Sequence, residues 1–297
     1  MNRWIRRSLW ALAALGALAA AGVVAGSQLA ERKRNRQVEL LPSPVALRSD
    51  AAAVERGRYL FASRGCVDCH GANGAGHTVI DDGKGLKVAG PNISPGPGNV
   101  VAKYGASDWE RTLRHGVKPD GRPLMIMPSE DYNRLTDDDV ASLVAYVRSL
   151  PPAPGRGAVM ELPLPVRVLY GFGAIQDAAA KIDHQLPPAQ PVPEGVTIEH
   201  GRYVANMCVG CHGVQLAGGK IPGGPPDWPA AADLRPGPRG ALARYPDAES
   251  MLRLFRSGRR PDGSAVRVMP FVSLREMSEV DARALHLYLA SRTPPSL

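Results

Sequence analysis

"RGCVDCHGANGAG", Arg64–Gly76, and "MCVGCHGVQLAGG", Met207–Gly219, hold all four cysteines of the chain, and each spells Cys-x-x-Cys-His followed by glycine. The offset of 142 that carries Cys66, Cys69 and His70 onto Cys208, Cys211 and His212 reaches further. It carries Pro119-Asp120-Gly121 onto Pro261-Asp262-Gly263, Met127-Pro128 onto Met269-Pro270 and Tyr146 onto Tyr288. Between these anchors "NISPGP" from Asn92 meets "DLRPGP" from Asp233, and Tyr104 meets Tyr245, at 141. Single-residue insertions therefore open and close inside loops, and the chain is an internal duplication, which bears on every later step of the fold argument.

Two thiols at this spacing can add to the two vinyl groups of a haem, with the adjacent histidine then directed at the iron from one face. A zinc site needs its cysteine pairs close together, and 138 residues lie between Cys69 and Cys208. A redox disulfide pair of the thioredoxin type needs a βαβ setting, and none is visible. The expected cofactors are two covalently bound haem c groups, attached through Cys66, Cys69, Cys208 and Cys211, with His70 and His212 as proximal iron ligands.

The sixth ligand comes from farther along. A soft thioether favours ferrous iron and raises the reduction potential. Met127 and Met269 each stand before proline, and each lies 57 residues past its histidine. The chain has eight methionines, and a lone methionine is ordinarily core filler; recurrence is what singles out these two. Met125 is the rival in the first repeat, but position 267 in the second is arginine. His77, His115, His184, His200 and His286 do not recur at equivalent positions and read as surface or internally satisfied histidines.

The 297 residues suffice for two domains. Aromatics make up only 5%, against 32 glycines and 28 prolines, which suits small helical units joined by irregular loops. Helix-start patterns agree: Ser107-x-x-Glu110, Thr136-x-x-Asp139 and Ser278-x-x-Asp281 read as capping signals, with stops at Gly116, Pro151 and Pro294. Short helices are expected near 51–64 and 195–207, before each cysteine pair. The fold class is all-α, two tandem helical domains behind an N-terminal apolar helix.

No charged residue occurs from Ser8 to Ala30, while Arg3, Arg6 and Arg7 precede this run and "ERKRNR" follows it. Such a run spans a bilayer or serves as a secretory signal. The basic cluster behind it favours a retained anchor, N-terminus cytoplasmic; a cleaved, soluble periplasmic protein is the alternative. The expected organisation is an anchor or signal at 1–30, a tether at 31–49, a first domain at 50–153, a connector at 154–194 and a second domain at 195–297. A net charge of +8 suits acidic docking partners. The basic residues are dispersed among prolines and acids without a nucleic-acid motif, so no nucleic-acid partner is expected.

"GRYLFASRGCVDCHG", "GPNISPGPG", "SDWERTLRHGVKPDGRPLMIMP" and "LTDDDVASLVAYVRSLPP" resemble the class I cytochrome c subunits of membrane-bound bacterial alcohol- and gluconate-type dehydrogenases. The resemblance implies that Gly57 packs with Leu143 and Tyr146, and Gly201 with Leu285 and Tyr288, where an N-terminal helix crosses a C-terminal one. Those alcohol dehydrogenase subunits carry three haem motifs, and this chain carries two. The implied role is not catalysis but single-electron transfer, from a periplasmic dehydrogenase, a quinol-linked complex or other redox donor toward a downstream cytochrome or oxidase of the respiratory chain. A dihaem subunit of a cytochrome oxidase is an alternative reading, and a dihaem peroxidase, which needs an open iron, is another.

Overall fold

The computed structural model describes residues 3–41, 43–225, 227–238 and 240–293. The first helix, α1 (Arg3–Arg34), contains the whole charge-free run and continues through Arg32, Lys33 and Arg34 of the basic cluster. Backbone hydrogen bonding within a helix is indifferent to the change from apolar to charged side chains, and Arg32, Lys33 and Arg34 at its carboxyl end favour the helix dipole.

The first half holds α2 (Ala51–Ser63), α3 (Cys66–His70), β1 (Thr78–Asp81), β2 (Lys87–Ala89), α4 (Ala106–His115), α5 (Ser129–Tyr132) and α6 (Asp137–Ser149). Asp50 starts α2 by accepting from the Ala53 N–H at 3.0 Å, and Thr136 starts α6 by accepting from the Asp139 N–H at 3.1 Å. Ala53, Gly57, Leu60 and Phe61 form one stripe of α2 at helical spacing, facing Val140, Leu143, Val144 and Val147 of α6. Burying each large apolar side chain contributes roughly 1.5–3 kcal/mol. A Cβ on Gly57 would lie 1.9 Å from the Ser142 carbonyl oxygen and 2.7 Å from Tyr146 Cβ; only glycine lets the two backbones meet.

The second half repeats this scheme with α8 (Ile198–Val204), α9 (Val209–His212), α10 (Ala248–Ser257), α11 (Phe271–Leu274) and α12 (Glu279–Ser291). Ser278 starts α12 as Thr136 starts α6, accepting from the Asp281 N–H at 3.1 Å. A Cβ on Gly201 would fall 2.0 Å from the Ala284 oxygen and 2.7 Å from Tyr288 Cβ. Pro294, expected to stop α12, lies outside the described residues.

Two expectations need correction. Helix α4 begins one residue before Ser107: Gly105 is its N-cap, and Asp108 reaches back to the Gly105 N–H at 2.9 Å. The molecule is mostly helical rather than all-α, because β3 (Val159–Glu161) joins β1 and β2 in an antiparallel sheet of order β1-β2-β3. The stretch 154–194, expected as a connector able to hold one short helix, has structure of its own. It supplies β3 and α7 (Leu164–Phe172), and its Ala178 packs on Gly116, where an added Cβ would fall 2.6 Å from Ala178 Cβ.

The halves exchange equivalent contacts. The Tyr59 hydroxyl accepts from the Ser278 N–H at 3.1 Å and donates to Asp281. The Tyr203 hydroxyl accepts from the Thr136 N–H at 3.2 Å and donates to Asp139 at 2.6 Å. Each half's first helix thus completes the cap of the other's last helix, the self-complementary pattern of a two-fold interface within one chain. Arg56 adds a bidentate pair to Asp139 at 2.8 and 3.0 Å, while Arg64 and His200 both bond Asp281.

Candidate functional site

Each Cys-x-x-Cys-His sits on a short helical turn, and the glycine that follows takes the left-handed side of φ, +70° at Gly71 and +74° at Gly213. That turns the chain sharply away from the histidine. Gly76 N–H then bonds the His70 carbonyl at 2.8 Å, and Gly218 N–H bonds the His212 carbonyl at 3.0 Å, so both loops fold back under their motifs.

The returning loops hold the histidines. His70 Nδ1 lies 2.9 Å from the Pro91 carbonyl oxygen, and His212 Nδ1 lies 2.7 Å from the Ala232 carbonyl oxygen. A carbonyl can only accept, so Nδ1 carries the proton and Nε2 keeps its lone pair. In the first half β2 delivers this carbonyl: Gly90 N–H bonds His77 O at 2.9 Å beside Cys69. In the second half the bridge between Gly219 and Ala231 does the same for Ala232. Burial lowers the basicity of both rings more than these hydrogen bonds raise it, and a neutral ring with a free Nε2 is a metal ligand in waiting.

Cys66, His70 and Met127 line one cleft, walled by Phe61, Trp109 and Leu143. Met125 is not among its lining residues. In the second half Cys208 and Met269 pack against the corresponding core, which holds Met251 where the first has Trp109. Burial pushes the Cys66 and Cys208 thiols up to about 12 and the Cys69 and Cys211 thiols up to about 11, with neighbouring acids and thiols adding to it. Among the described residues no three His, Cys, Asp or Glu side chains are grouped to hold a metal ion. An apolar cleft lined by the Cys66 thiol, an Nδ1-protonated His70 and the Met127 thioether, with Cys69 on the same short helix, fits a haem attached through sulfur.

The rival histidines are engaged elsewhere. His77 Nε2 meets Asp68 O at 2.6 Å, His115 meets Glu110 and His184, His200 meets Asp281, and His286 Nε2 meets Tyr245 O at 3.0 Å. The two motifs also touch the opposite half's methionine segment. Gly210 N–H donates to Asp131 at 2.7 Å, and Ser273 donates to Asp68. Sequence reasoning finds neither these contacts nor the Pro91 and Ala232 carbonyls, since a main-chain acceptor has no residue signature. The recurring Gly76 and Gly218 were the available sign that both loops return.

Residues 54–151 match the cytochrome c family. The chain is 27% identical over 274 residues to a fructose dehydrogenase cytochrome subunit of Gluconobacter japonicus, covering 84% of this chain and 54% of that protein. It is 28% identical over 273 residues to a gluconate 2-dehydrogenase cytochrome c subunit of Pantoea cypripedii, covering 81% of this chain and 59% of that protein. A diheme cytochrome c-type protein of Cereibacter sphaeroides is 28% identical over 268 residues, covering 79% of this chain and 84% of the relative. The chain thus spans a little over half the length of the two dehydrogenase subunits. All three relatives are cytochromes by name, and the two dehydrogenase relatives are cytochrome subunits rather than catalytic ones.

Proposed function

We propose, from the cytochrome c domain at residues 54–151, that the whole chain is a dihaem electron-transfer subunit built of two tandem cytochrome c domains. Its bounds are 50–153 and 195–297, joined by the connector 154–194. Cys66 and Cys69 hold one haem c, and Cys208 and Cys211 the other. His70 with Met127, and His212 with Met269, close the two iron sites. A haem c held in this way supplies reversible one-electron chemistry at potentials set by its ligands.

The observation that carries the proposal is the recurrence in both halves of a histidine whose Nδ1 is held by a returning main-chain carbonyl. That bond fixes the ring's tautomer and orientation and raises its strength as a donor. The apolar walls, Phe61, Trp109 and Leu143 among them, exclude water and limit the charge rearrangement that accompanies a one-electron step. No general base, nucleophile or open ligand position is required of the protein.

Helix α1 is long and apolar enough to cross a membrane. We read it as a retained anchor with its N-terminus in the cytoplasm, Trp4 and Trp10 near one membrane face and the basic cluster beyond the other. Both haem sites then lie in the periplasm, taking electrons from a dehydrogenase and handing them to a downstream cytochrome or oxidase. Intact-mass and peptide analysis of the protein matured in a cytochrome c-competent host tests the cofactor count. The reading requires two haem masses, one on each motif, and a single adduct would contradict it. Recovery from native membranes of a dehydrogenase whose substrate reduces the bound haems tests the donor.

A further inference from the structure

Helix α7 is packed on the carboxyl-terminal end of α1 and locked there. A Cβ on Gly171 would lie 1.9 Å from the Gly26 carbonyl, and one on Gly26 would lie 2.9 Å from both the Phe172 ring and Val168. Below this contact Arg36 pairs with Asp177, the Tyr170 hydroxyl donates to Asp177 at 2.8 Å, and Lys33 Nζ donates to Tyr170 O at 3.1 Å. Helices α1 and α7 therefore behave as one unit. Ala178 ties that unit to the first half by donating its N–H to the Leu124 carbonyl at 2.9 Å.

The height of the contact matters. The charge-free run of α1 ends at Ala30, and Gly26 sits about 6 Å along the helix inside it. Side chains touching Gly26 are thus at the level where acyl chains meet headgroups, since a spanning helix fills a hydrocarbon layer of about 30 Å. Of the α7 residues, Phe172 touches Gly26, and the same helix exposes Leu164, Leu169 and Phe172, at 44%, 47% and 59%. Phe172, which touches α1, continues the lipid-facing surface of α1. Arg32 on α1 and Arg167 on α7 are also exposed, and such cations suit acidic phosphates.

We infer that α7 is a second membrane element, an interfacial helix whose Leu164, Leu169 and Phe172 lie in the outer boundary of the bilayer. It seats the haem-bearing body on the membrane at a fixed orientation, with lipid as the occupant of the patch. A helix of this kind buries its apolar side roughly 5–10 Å into the interface. The inference rests on α1 being a retained anchor.

The test uses the full-length haem-loaded protein in vesicles of phosphatidylcholine and phosphatidylglycerol carrying a diazirine-bearing phosphatidylcholine. After illumination, labelled residues are mapped by peptide mass spectrometry. The expected result is label on Leu164, Leu169 and Phe172 comparable with that on Val24 of α1, and background label on the exposed Val214 and Val272 of the second half. Label on α1 with α7 at background overturns the inference while leaving the anchor intact. Loss of label from α1 itself, with the protein released by alkaline washing, overturns both. Repeating the labelling in native membranes separates lipid from protein: α7 shielded there by a partner chain also overturns lipid as the occupant.

Discussion

At the residue scale the two proposed iron sites differ from an ordinary core by where one thioether and one carbonyl are placed. Met127 lines the cleft with Cys66 and His70, and Met125 does not. Met127→Ala should keep its haem, because attachment resides in the cysteines, yet lower one of the two reduction potentials. The fall is expected to be a substantial fraction of the roughly 0.8 V range that axial ligands command. Met125→Ala should leave both potentials in place, so potentiometric titration of the two variants decides between the methionines. The cysteines, histidines and methionines proposed for these sites were singled out in the sequence because the duplication shows each of them twice. Pro91 and Ala232 were not, since they act through a backbone oxygen that every residue possesses.

At the element scale the central joint is the crossing of α2 on α6 and of α8 on α12 through a glycine. Gly201→Ala would put a methyl group 2.0 Å from the Ala284 carbonyl oxygen, and a helix backbone cannot yield that much locally. A loss of about 3 kcal/mol in stability is expected. Gly157→Ala, in open space, should be within about 0.5 kcal/mol of the parent. Thermal unfolding of the two variants checks the contrast, and equal effects would refute the joint. Capping residues such as Thr136 and Ser278 announce their helices because the interaction spans three residues. The strands β1, β2 and β3 were missed because three or four residues carry too little alternation, and because β2 finds β3 only through the tertiary fold.

At the scale of the whole molecule the two halves hold each other through reciprocal polar contacts, centred on the Asp139 and Asp281 carboxylates. Burial alone pushes the Asp281 carboxyl up. The Arg64 charge and hydrogen bonds from Tyr59, Arg64 and His200 outweigh that effect and hold the group at about 2. In the unfolded chain it titrates near its ordinary value of about 4. Its contribution is therefore complete above about pH 4 and is lost as pH falls toward about 2. The wild type should exceed Asp281→Asn in stability by about 2 kcal/mol near neutrality, with the gap closing through that acid window. A gap that stays constant down to about pH 2 would contradict the assignment. Nothing in the sequence marked this interface, because Tyr59 and Asp281 lie 222 residues apart. The seat of α7 on α1 was hidden for the same reason.

The claim that unites the three scales is that both irons are closed by methionine, so the chain conducts electrons and does not bind a substrate at either metal. Carbon monoxide added to the fully reduced, full-length protein tests it most directly. The account predicts no uptake at either haem in the wild type and uptake at one haem in Met127→Ala. Rapid stoichiometric binding by the wild type would contradict it.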